Sequence, residues 1–246
     1  MKFYGTFIII LGLFVFATCR CQKKNLQPQL KSDSTYSFAK RSSDGTGKYY
    51  LGREISFIMG AEGADWLQRN TRQQEENTRL AIEKMQLTPR SVVADIGAGT
   101  GYYTFAIAGK ITQGKVFAVE IQEEMIKYLQ DKKISTGITN VEIIKGTDKS
   151  PNLTENSVDL AIMVDVYHEL EFPHEMLESI KKALKTDGKI LLLEYRAEDA
   201  SIAIKPHHKM TVKQADKEMI ANGFELLYDG EFLPIQHFLL YRKSNK

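Results

Sequence analysis

Residues 92–101, VVADIGAGTG, place an acid and three glycines at alternate positions after an apolar run. The acid is Asp95, and the glycines are Gly97, Gly99 and Gly101. Glycine adopts positive φ and lets the backbone come close to a ligand, so this spacing predicts a tight ligand-binding turn. A dinucleotide site has Gly-x-Gly-x-x-Gly, and here the third glycine comes one residue early. A carboxylate at Asp95 is poorly placed for a pyrophosphate and suits a cation such as an α-ammonium group.

A second acid, Glu120, ends the next apolar run, which reads KVFAVEIQ. A carboxylate at the end of the second strand of an open α/β sheet can accept both hydroxyls of a ribose. If one acid binds an ammonium group and the other binds a ribose, the ligand has an amino-acid end and a nucleoside end. S-adenosylmethionine is such a ligand, and we expect it to be the cofactor.

The pattern Asp95-x-Gly97-x-Gly99-x-Gly101 followed by Glu120 resembles the class I S-adenosylmethionine-dependent methyltransferase family, from about residue 91 to the end of the chain. The resemblance implies that Asp95 and the glycines hold the methionine part of the cofactor and that Glu120 holds its ribose. It also implies three further cofactor-binding side chains, which are Ile121 against the adenine, Asp148 at the adenine amino group and Asp165 at the mouth of the site.

The resemblance places the methyl acceptor near the end of the fourth strand, where the sequence reads LAIMVDVYHEL. In methyl transfer the protein mainly aligns the nucleophile and excludes water, and a general base is needed only when the acceptor must lose a proton. We expect His168 to be the best candidate for that base, with Asp165 beside it. For His168 and His208, a hydrogen bond within a loop is the alternative role. The other candidate bases are Glu169, Glu194, Tyr195 and His207.

Two features that the sequence lacks reduce the number of possible acceptor classes. No cysteine follows Cys21, which excludes a covalent thioether route to the C5 atom of cytosine. The sequence DVYH also differs from the Asn/Asp-Pro-Pro-Tyr loop of enzymes that methylate amide or exocyclic amino nitrogens. The acceptor is therefore an oxygen, carbon or amine centre, and we expect a small molecule ahead of a protein side chain.

Residues 49–90 are predicted to form a helical extension that covers the site. The side chains expected to contact the acceptor are Arg53, Trp66 and Arg69 from this extension, together with His208. Tyr49 and Arg72 are further candidates in the same segment. The arginines would suit an acceptor that carries a carboxylate or a phosphate. The alternative is a helix packed on the sheet edge with its arginines in solvent.

These side chains need a parallel sheet to position them. Strand and helix patterns alternate from residue 91, which predicts right-handed crossovers and a sheet covered on both faces. The predicted fold is an α/β, doubly wound, seven-stranded Rossmann-like methyltransferase sheet with a C-terminal antiparallel hairpin. The predicted strands are 91–96, 115–121, 141–145, 158–166, 189–195, 224–228 and 237–241, and the predicted helices are 64–85, 102–108, 123–134, 175–184 and 211–222.

Composition bounds the function further. The chain has 246 residues and a net charge of +2, so we expect one principal domain, residues 91–246, and no nucleic-acid partner. None of the five histidines has the His-Glu-x-x-His zinc spacing, and we expect no metal ion. The sequence contains no signal for an oligomeric state.

The N-terminus is predicted to attach the protein to a membrane. Residues 1–21 have the pattern of a signal peptide, a lipoprotein leader or a membrane anchor, with an apolar stretch near the lower length limit of a spanning helix. Residues 22–48 are polar and predicted to be a flexible linker. Basic residues after the apolar stretch favour a cytoplasm-facing domain over an exported lipoprotein.

The leading functional hypothesis is methyl transfer from S-adenosylmethionine to a small molecule. A catalytically silent S-adenosylmethionine-binding module tethered at a membrane is the first alternative, and export would favour it because the cofactor is an intracellular metabolite. A nucleotide-dependent dehydrogenase is the second alternative, and the glycine spacing opposes it.

Overall fold

The computed structural model describes residues 1, 2 and 35–244. The predicted leader, apart from its first two residues, and residues 22–34 of the predicted linker therefore lie outside the described residues. Within the described ranges, no helix is both long enough and apolar enough to cross a membrane.

A seven-stranded sheet forms the centre of the described fold. Its strands are β4 (Val92–Ile96), β5 (Lys115–Glu120), β6 (Val141–Lys145), β7 (Val158–Val164), β8 (Leu184–Tyr195), β9 (Phe224–Asp229) and β10 (Gln236–Lys243). They lie in the order β6-β5-β4-β7-β8-β10-β9, in which β4, β5, β6, β7 and β8 run parallel and β10 runs antiparallel to both of its neighbours. The strand order reverses between β4 and β7, where ligands bind in sheets of this kind.

This sheet confirms the predicted fold class, including the C-terminal hairpin of β9 and β10. The helices that connect its strands are α4 (Tyr102–Ala108), α5 (Glu123–Thr136), α6 (Pro173–Ala183) and α7 (Val212–Ala221). One boundary differs from the prediction. Strand β8 begins directly after α6, so Asp187 and Gly188 lie inside the strand rather than in a turn, and the pairing of β8 with β7 shifts register there.

Two apolar clusters cover the two faces of the main sheet. The alternation is plain in β8, where Leu192 belongs to one cluster and its neighbours Leu191 and Leu193 belong to the other. All three side chains are fully buried, and each such leucine contributes roughly 1.5–3 kcal/mol to folding. Burial of both faces holds the strand ends, and the side chains on them, in fixed positions.

A second sheet, which the sequence did not predict, precedes the main one. It is antiparallel and consists of β1 (Tyr36–Phe38), β2 (Gly45–Tyr50) and β3 (Arg53–Ser56). The prediction of a flexible linker up to residue 48 is therefore wrong from β1 onward. Its polar residues are paired rather than solvated: the Lys48 ammonium donates to the Glu171 carbonyl and lies 3.2 Å from the centre of the Phe172 ring.

The predicted single helix over 64–85 is also wrong. The segment forms three short helices, α1 (Ala64–Leu67), α2 (Arg72–Glu76) and α3 (Thr78–Lys84). Asn77 has a left-handed conformation with φ of 54°, which ends α2 and redirects the chain into α3. The Arg72 guanidinium donates to the Leu67 carbonyl and thereby closes the break between α1 and α2.

Candidate functional site

A cavity of about 960 Å³ opens at the carboxyl ends of β4, β5 and β7. The main sheet contributes one wall through the glycine turn after β4, Glu120 at the end of β5 and Asp165 after β7. The opposite wall comes from the N-terminal extension, through residues that include Phe57, Met59, Trp66 and Leu67. The cavity is therefore enclosed between the main sheet and the extension, as expected for a segment that covers the site.

The glycine turn needs its glycines. Gly97 and Gly101 have φ of 69° and 75°, a conformation that L side chains rarely adopt. A Cβ atom on Gly97 would lie 2.7 Å from the Val166 side chain, so the turn packs directly against the loop after β7. Gly99, with φ of 52°, lies beneath Leu67 of the extension. The backbone of this turn thus forms the cavity wall itself.

Asp95 lies buried at the base of the turn and accepts a hydrogen bond from the Thr104 hydroxyl at 2.5 Å. Burial raises the pKa of Asp95 to about 6, against the opposing effect of the Thr104 hydrogen bond, and the nearby Glu120 carboxylate raises it further. A carboxylate of this kind is poorly stabilised by the protein alone. A cationic ligand group beside it would supply the missing counter-charge.

Glu120 points back towards the glycine turn. One carboxylate oxygen accepts from the Gly99 amide at 2.8 Å, and the other accepts from the Ile121 and Gln122 amides at 2.7 and 3.0 Å. Ile121 is 40% exposed although it is apolar, and it lines the cavity together with Asp148. Asp95, Gly97, Gly99, Glu120, Ile121 and Asp148 thus share one cavity, and their chemistry fits the amine, ribose and adenine of S-adenosylmethionine. Gly101 does not line the cavity and instead packs against the Leu129 and Phe105 side chains.

Asp165 has an unusual backbone for a residue with a side chain. Its φ is 54°, and its carboxylate is held by the Gln236 amide, which donates to both oxygens at 3.0 and 2.8 Å. Burial, together with the nearby Glu76 and Glu194 carboxylates, raises the pKa of Asp165 well above its usual range. Residues held in such a conformation cluster at functional sites, and Asp165 does line the cavity.

His168 is buried in the cavity wall between several charged groups. Its Nδ1 atom lies 2.6 Å from a Glu194 oxygen, and its Nε2 atom lies 3.2 Å from Nδ1 of His208 and 3.6 Å from Glu169. Burial opposes protonation, but the charges of Glu194 and Glu169 outweigh it and raise the pKa of His168 to about 10. A histidine that is already protonated at neutral pH cannot accept a proton, so this geometry argues against His168 as a general base.

Glu169 and His208 complete the group around His168. Burial would raise the pKa of Glu169, yet hydrogen bonds from His168 and His208 lower it to about 2. The second Glu169 oxygen accepts from the Met59 amide at 3.1 Å, which ties the extension to this group. His208 lines the cavity as expected, and its Nε2 atom lies 3.3 Å from Asp44.

The two predicted acceptor-binding arginines are not at the cavity wall. Arg53 is paired with buried Glu218 at 2.7 Å, and Arg69 is paired with Glu75 and Glu76. Both guanidinium groups are thus used inside the protein, which corrects the expectation that they bind an acidic acceptor. Trp66 does line the cavity, where its ring packs edge-on against Tyr195 with centroids 6.5 Å apart.

Sequence reasoning missed two residues that the fold brings to the site. Asp44 lines the cavity from a segment predicted to be a linker, and no local pattern marks it. Gln236 reaches Asp165 from the start of β10, which likewise leaves no sequence signal. Arg72, from the segment in which acceptor contacts are expected, does line the cavity, and it pairs with Glu76 four residues later.

Comparison with known proteins agrees with this architecture. A family model described as a methyltransferase domain matches residues 87–234. The chain is 29% identical over 119 residues to the ubiquinone/menaquinone biosynthesis C-methyltransferase UbiE of Hydrogenovibrio crunogenus, a match over 48% of this chain and 47% of that protein. It is 32% identical over 104 residues to the tRNA U34 carboxymethyltransferase of Desulfotalea psychrophila, over 41% of this chain and 31% of that protein.

Among solved structures, an S-adenosylmethionine-dependent methyltransferase from Aquifex aeolicus has a TM-score of 0.71 and 22% identity, covering 75% of this chain and 98% of that one. This likeness concerns the fold. Each of the two sequence matches spans less than half of the relative's length. The family match covers more than half of the chain and includes the glycine turn, Glu120 and Asp165. The chain therefore belongs to the class I S-adenosylmethionine-dependent methyltransferase family.

Proposed function

We propose that this protein transfers the methyl group of S-adenosylmethionine to a small-molecule acceptor bound in the same cavity. The observation that carries the proposal is the continuity of one cavity from the glycine turn to the wall formed by Trp66, Tyr195 and His168. Ligand cavities commonly measure about 300–1,000 Å³, and this one lies near the upper end of that range. A volume of this size supports two ligands side by side.

The cofactor half of the proposal assigns a role to each residue of the first wall. Asp95 and the backbone of the glycine turn hold the amino-acid end, Glu120 holds the ribose, and Ile121 with Asp148 holds the adenine. When bound, the cofactor supplies an activated methyl group on a sulfonium. The protein's contribution is to hold this group in line with the acceptor and to keep water out.

The extension supports a small acceptor in preference to a macromolecule. The Met59 amide donates to Glu169, and the Met59 carbonyl accepts from the Gln122 side chain at 3.0 Å. The Gln68 amide likewise donates to Thr100 of the glycine turn. These three contacts fasten the extension across the cavity, which leaves room for a ligand that enters it and little for an extended polymer. The net charge of +2 also gives no general attraction for nucleic acid.

The proposal leaves the acceptor centre as an oxygen, a carbon or an amine. Because the Glu194 and Glu169 carboxylates raise the pKa of His168, an acceptor that loses its proton easily, or has none to lose, is the better match. The acceptor wall of Trp66, Tyr195 and Phe57 suits a flat or apolar body. An apolar body that carries a polar group is therefore the class of acceptor to test first.

The test has two steps. S-adenosylhomocysteine should bind the purified chain in calorimetry with a stoichiometry of one, and the chain should then transfer label from methyl-labelled S-adenosylmethionine to a small-molecule fraction of a cell extract. Label in protein or RNA alone would contradict the small-molecule proposal. Binding without transfer to any fraction would favour the silent module instead.

We also propose, from the sequence pattern of residues 1–21, that the protein associates with a membrane. The proposal is independent of the chemistry described above. Cell fractionation of the full chain beside a variant that begins at residue 35 tests it, because only the full chain should sediment with membranes.

A further inference from the structure

The cavity wall opposite the glycine turn holds three ligand atoms within a few ångströms of one another. These atoms are Nε2 of His168, Nδ1 of His208 and Oε1 of Glu169. The two nitrogens are 3.2 Å apart, and the Glu169 oxygen lies 3.6 Å from His168 Nε2 and 3.2 Å from His208 Nδ1. We propose that His168, Glu169 and His208 form a binding site for a divalent transition-metal ion.

The separations fit a metal ion in size. Nitrogen and oxygen ligands bind Zn²⁺ at about 2.0–2.2 Å, so two ligands at a tetrahedral angle are about 3.3–3.6 Å apart. The three observed separations of 3.2, 3.2 and 3.6 Å lie close to that range. The three side chains therefore need little movement to hold an ion between them.

The groups beside the other ring nitrogens of His168 and His208 also support a metal site. Nδ1 of His168 faces Glu194 at 2.6 Å, and Nε2 of His208 faces Asp44 at 3.3 Å. A carboxylate beside one ring nitrogen favours a proton there, which leaves the lone pair on the other nitrogen. Two lone pairs and a carboxylate oxygen then converge, and such a group needs a cation at its centre. In the absence of a metal ion a proton fills this need, and a divalent ion fills it with more charge.

Two of the three residues are also held as metal ligands usually are. Histidine ligands commonly donate their second ring nitrogen to a carboxylate, which fixes the orientation of the ring. Glu194 has this position for His168, and the Met59 amide holds the second oxygen of Glu169 at 3.1 Å. The Asp44 carboxylate lies 3.3 Å from Nε2 of His208, close enough to attract a proton there but without a hydrogen bond. Two of the three ligand side chains are thus oriented by a hydrogen bond on their far side.

Two histidines and one carboxylate leave coordination positions open, and a site of this composition suits Zn²⁺, Fe²⁺ and similar ions. Because all three residues line the cavity, an open position faces the space for the acceptor. If the proposed methyl transfer holds, the ion binds an oxygen atom of the acceptor at that position. The predicted acceptors are therefore molecules with a hydroxyl or carbonyl group. Metal binding itself does not depend on that function.

The test uses the full chain after dialysis against a chelator, with no cofactor present. Zn²⁺ is titrated by calorimetry and Co²⁺ by its visible absorption, for the wild type and for the His208→Ala and Glu169→Gln variants. The matched control is His207→Ala, because His207 is adjacent in the chain and bonds instead to Ser42 and Glu54. Circular dichroism establishes whether each variant is folded. If His208→Ala is not folded, Glu169→Gln alone provides the test of the ligand set.

We expect one ion per chain in the wild type and in His207→Ala, and an affinity at least about 100-fold lower when a ligand is removed. Absence of binding to the wild type, or equal binding by the ligand variants, would overturn the site. Since S-adenosylhomocysteine binding is measured separately, failure of the metal site leaves the proposed function standing, and the reverse also holds.

Discussion

The Gln236 side-chain amide donates to both oxygens of the Asp165 carboxylate, at 3.0 and 2.8 Å. This contact joins the end of β7 to the start of the antiparallel strand β10, across the intervening strand β8. It holds a residue with positive φ in place at the point where the strand order reverses. The C-terminal hairpin therefore does more than extend the sheet, because it positions a side chain of the cavity.

Replacement of Gln236 by methionine should remove this support. The change keeps the side-chain length and leaves a buried carboxyl group without its donor, which costs about 1–3 kcal/mol of stability. Urea unfolding measures the loss, and Gln113→Met is the control because the Gln113 side chain is exposed and accepts a hydrogen bond from the exposed Arg90 side chain. Equal midpoints for the two variants would show that the Gln236 contact does not support the fold.

Asp95→Asn should weaken cofactor binding while the fold persists. Asparagine retains an oxygen for the Thr104 hydroxyl but has no charge for an ammonium group. Loss of one partner from a buried charge pair costs about 2 kcal/mol or more, which corresponds to about 30-fold in affinity. Calorimetry with S-adenosylhomocysteine measures it, with Asp131→Asn, an exposed partner of Lys127, as the control. An unchanged affinity for Asp95→Asn would remove Asp95 from the site.

The raised pKa of Asp95 predicts a pH dependence with two opposite signs. Below about pH 6 the carboxyl group is neutral, so the affinity for S-adenosylhomocysteine should fall as the pH is lowered from 7.5 to 5. Because the folded pKa exceeds the unfolded one, protonation of Asp95 favours folding over the same interval. Asp95→Asn should flatten the binding profile. A wild-type affinity that stays constant or rises towards pH 5 would contradict the assignment.

The cofactor side of the site was predictable from sequence because its signals are local. Asp95, Gly97, Gly99 and Gly101 fall within seven residues, and strand β5 ends at Glu120 as its apolar run indicates. The group around His168 was not predictable in the same way. Glu194, His208 and Asp44 come from three separate loops or strand ends, so only the fold brings them together.

The prediction for the N-terminal segment was wrong for a different physical reason. The polarity of residues 22–48 predicts a solvated linker, yet Lys48 is buried and its ammonium group has a hydrogen-bond partner in the fold. Composition reports how polar a segment is and does not report whether its polar groups find partners. The same limit explains the arginine prediction, because a free arginine and a paired one look alike in sequence.

Substitution of Gly97 by alanine should cost more than backbone strain alone. A Cβ atom there would lie 2.7 Å from Val166, in addition to the cost of positive φ, which is about 1–2 kcal/mol for an L residue. Gly137→Ala is a matched control, because Gly137 has φ of 68° and no atom of the described residues lies within 4 Å of its added Cβ. Urea midpoints should fall further for Gly97→Ala. If both variants lose the same stability, the turn does not pack as tightly as described.

Arg53→Met should act on stability rather than on the acceptor. Arg53 donates to both oxygens of buried Glu218 and to the His168 carbonyl, so its loss leaves an unpaired buried carboxylate at a cost of about 3–5 kcal/mol. Arg242→Met is the control, because its pair with Glu225 is exposed and such pairs contribute about 0–1 kcal/mol. The double variant Arg53→Met/Glu218→Leu should recover much of the stability, since it removes the stranded charge. A role in acceptor binding would instead give Arg53→Met a wild-type unfolding midpoint with a raised KM for the acceptor.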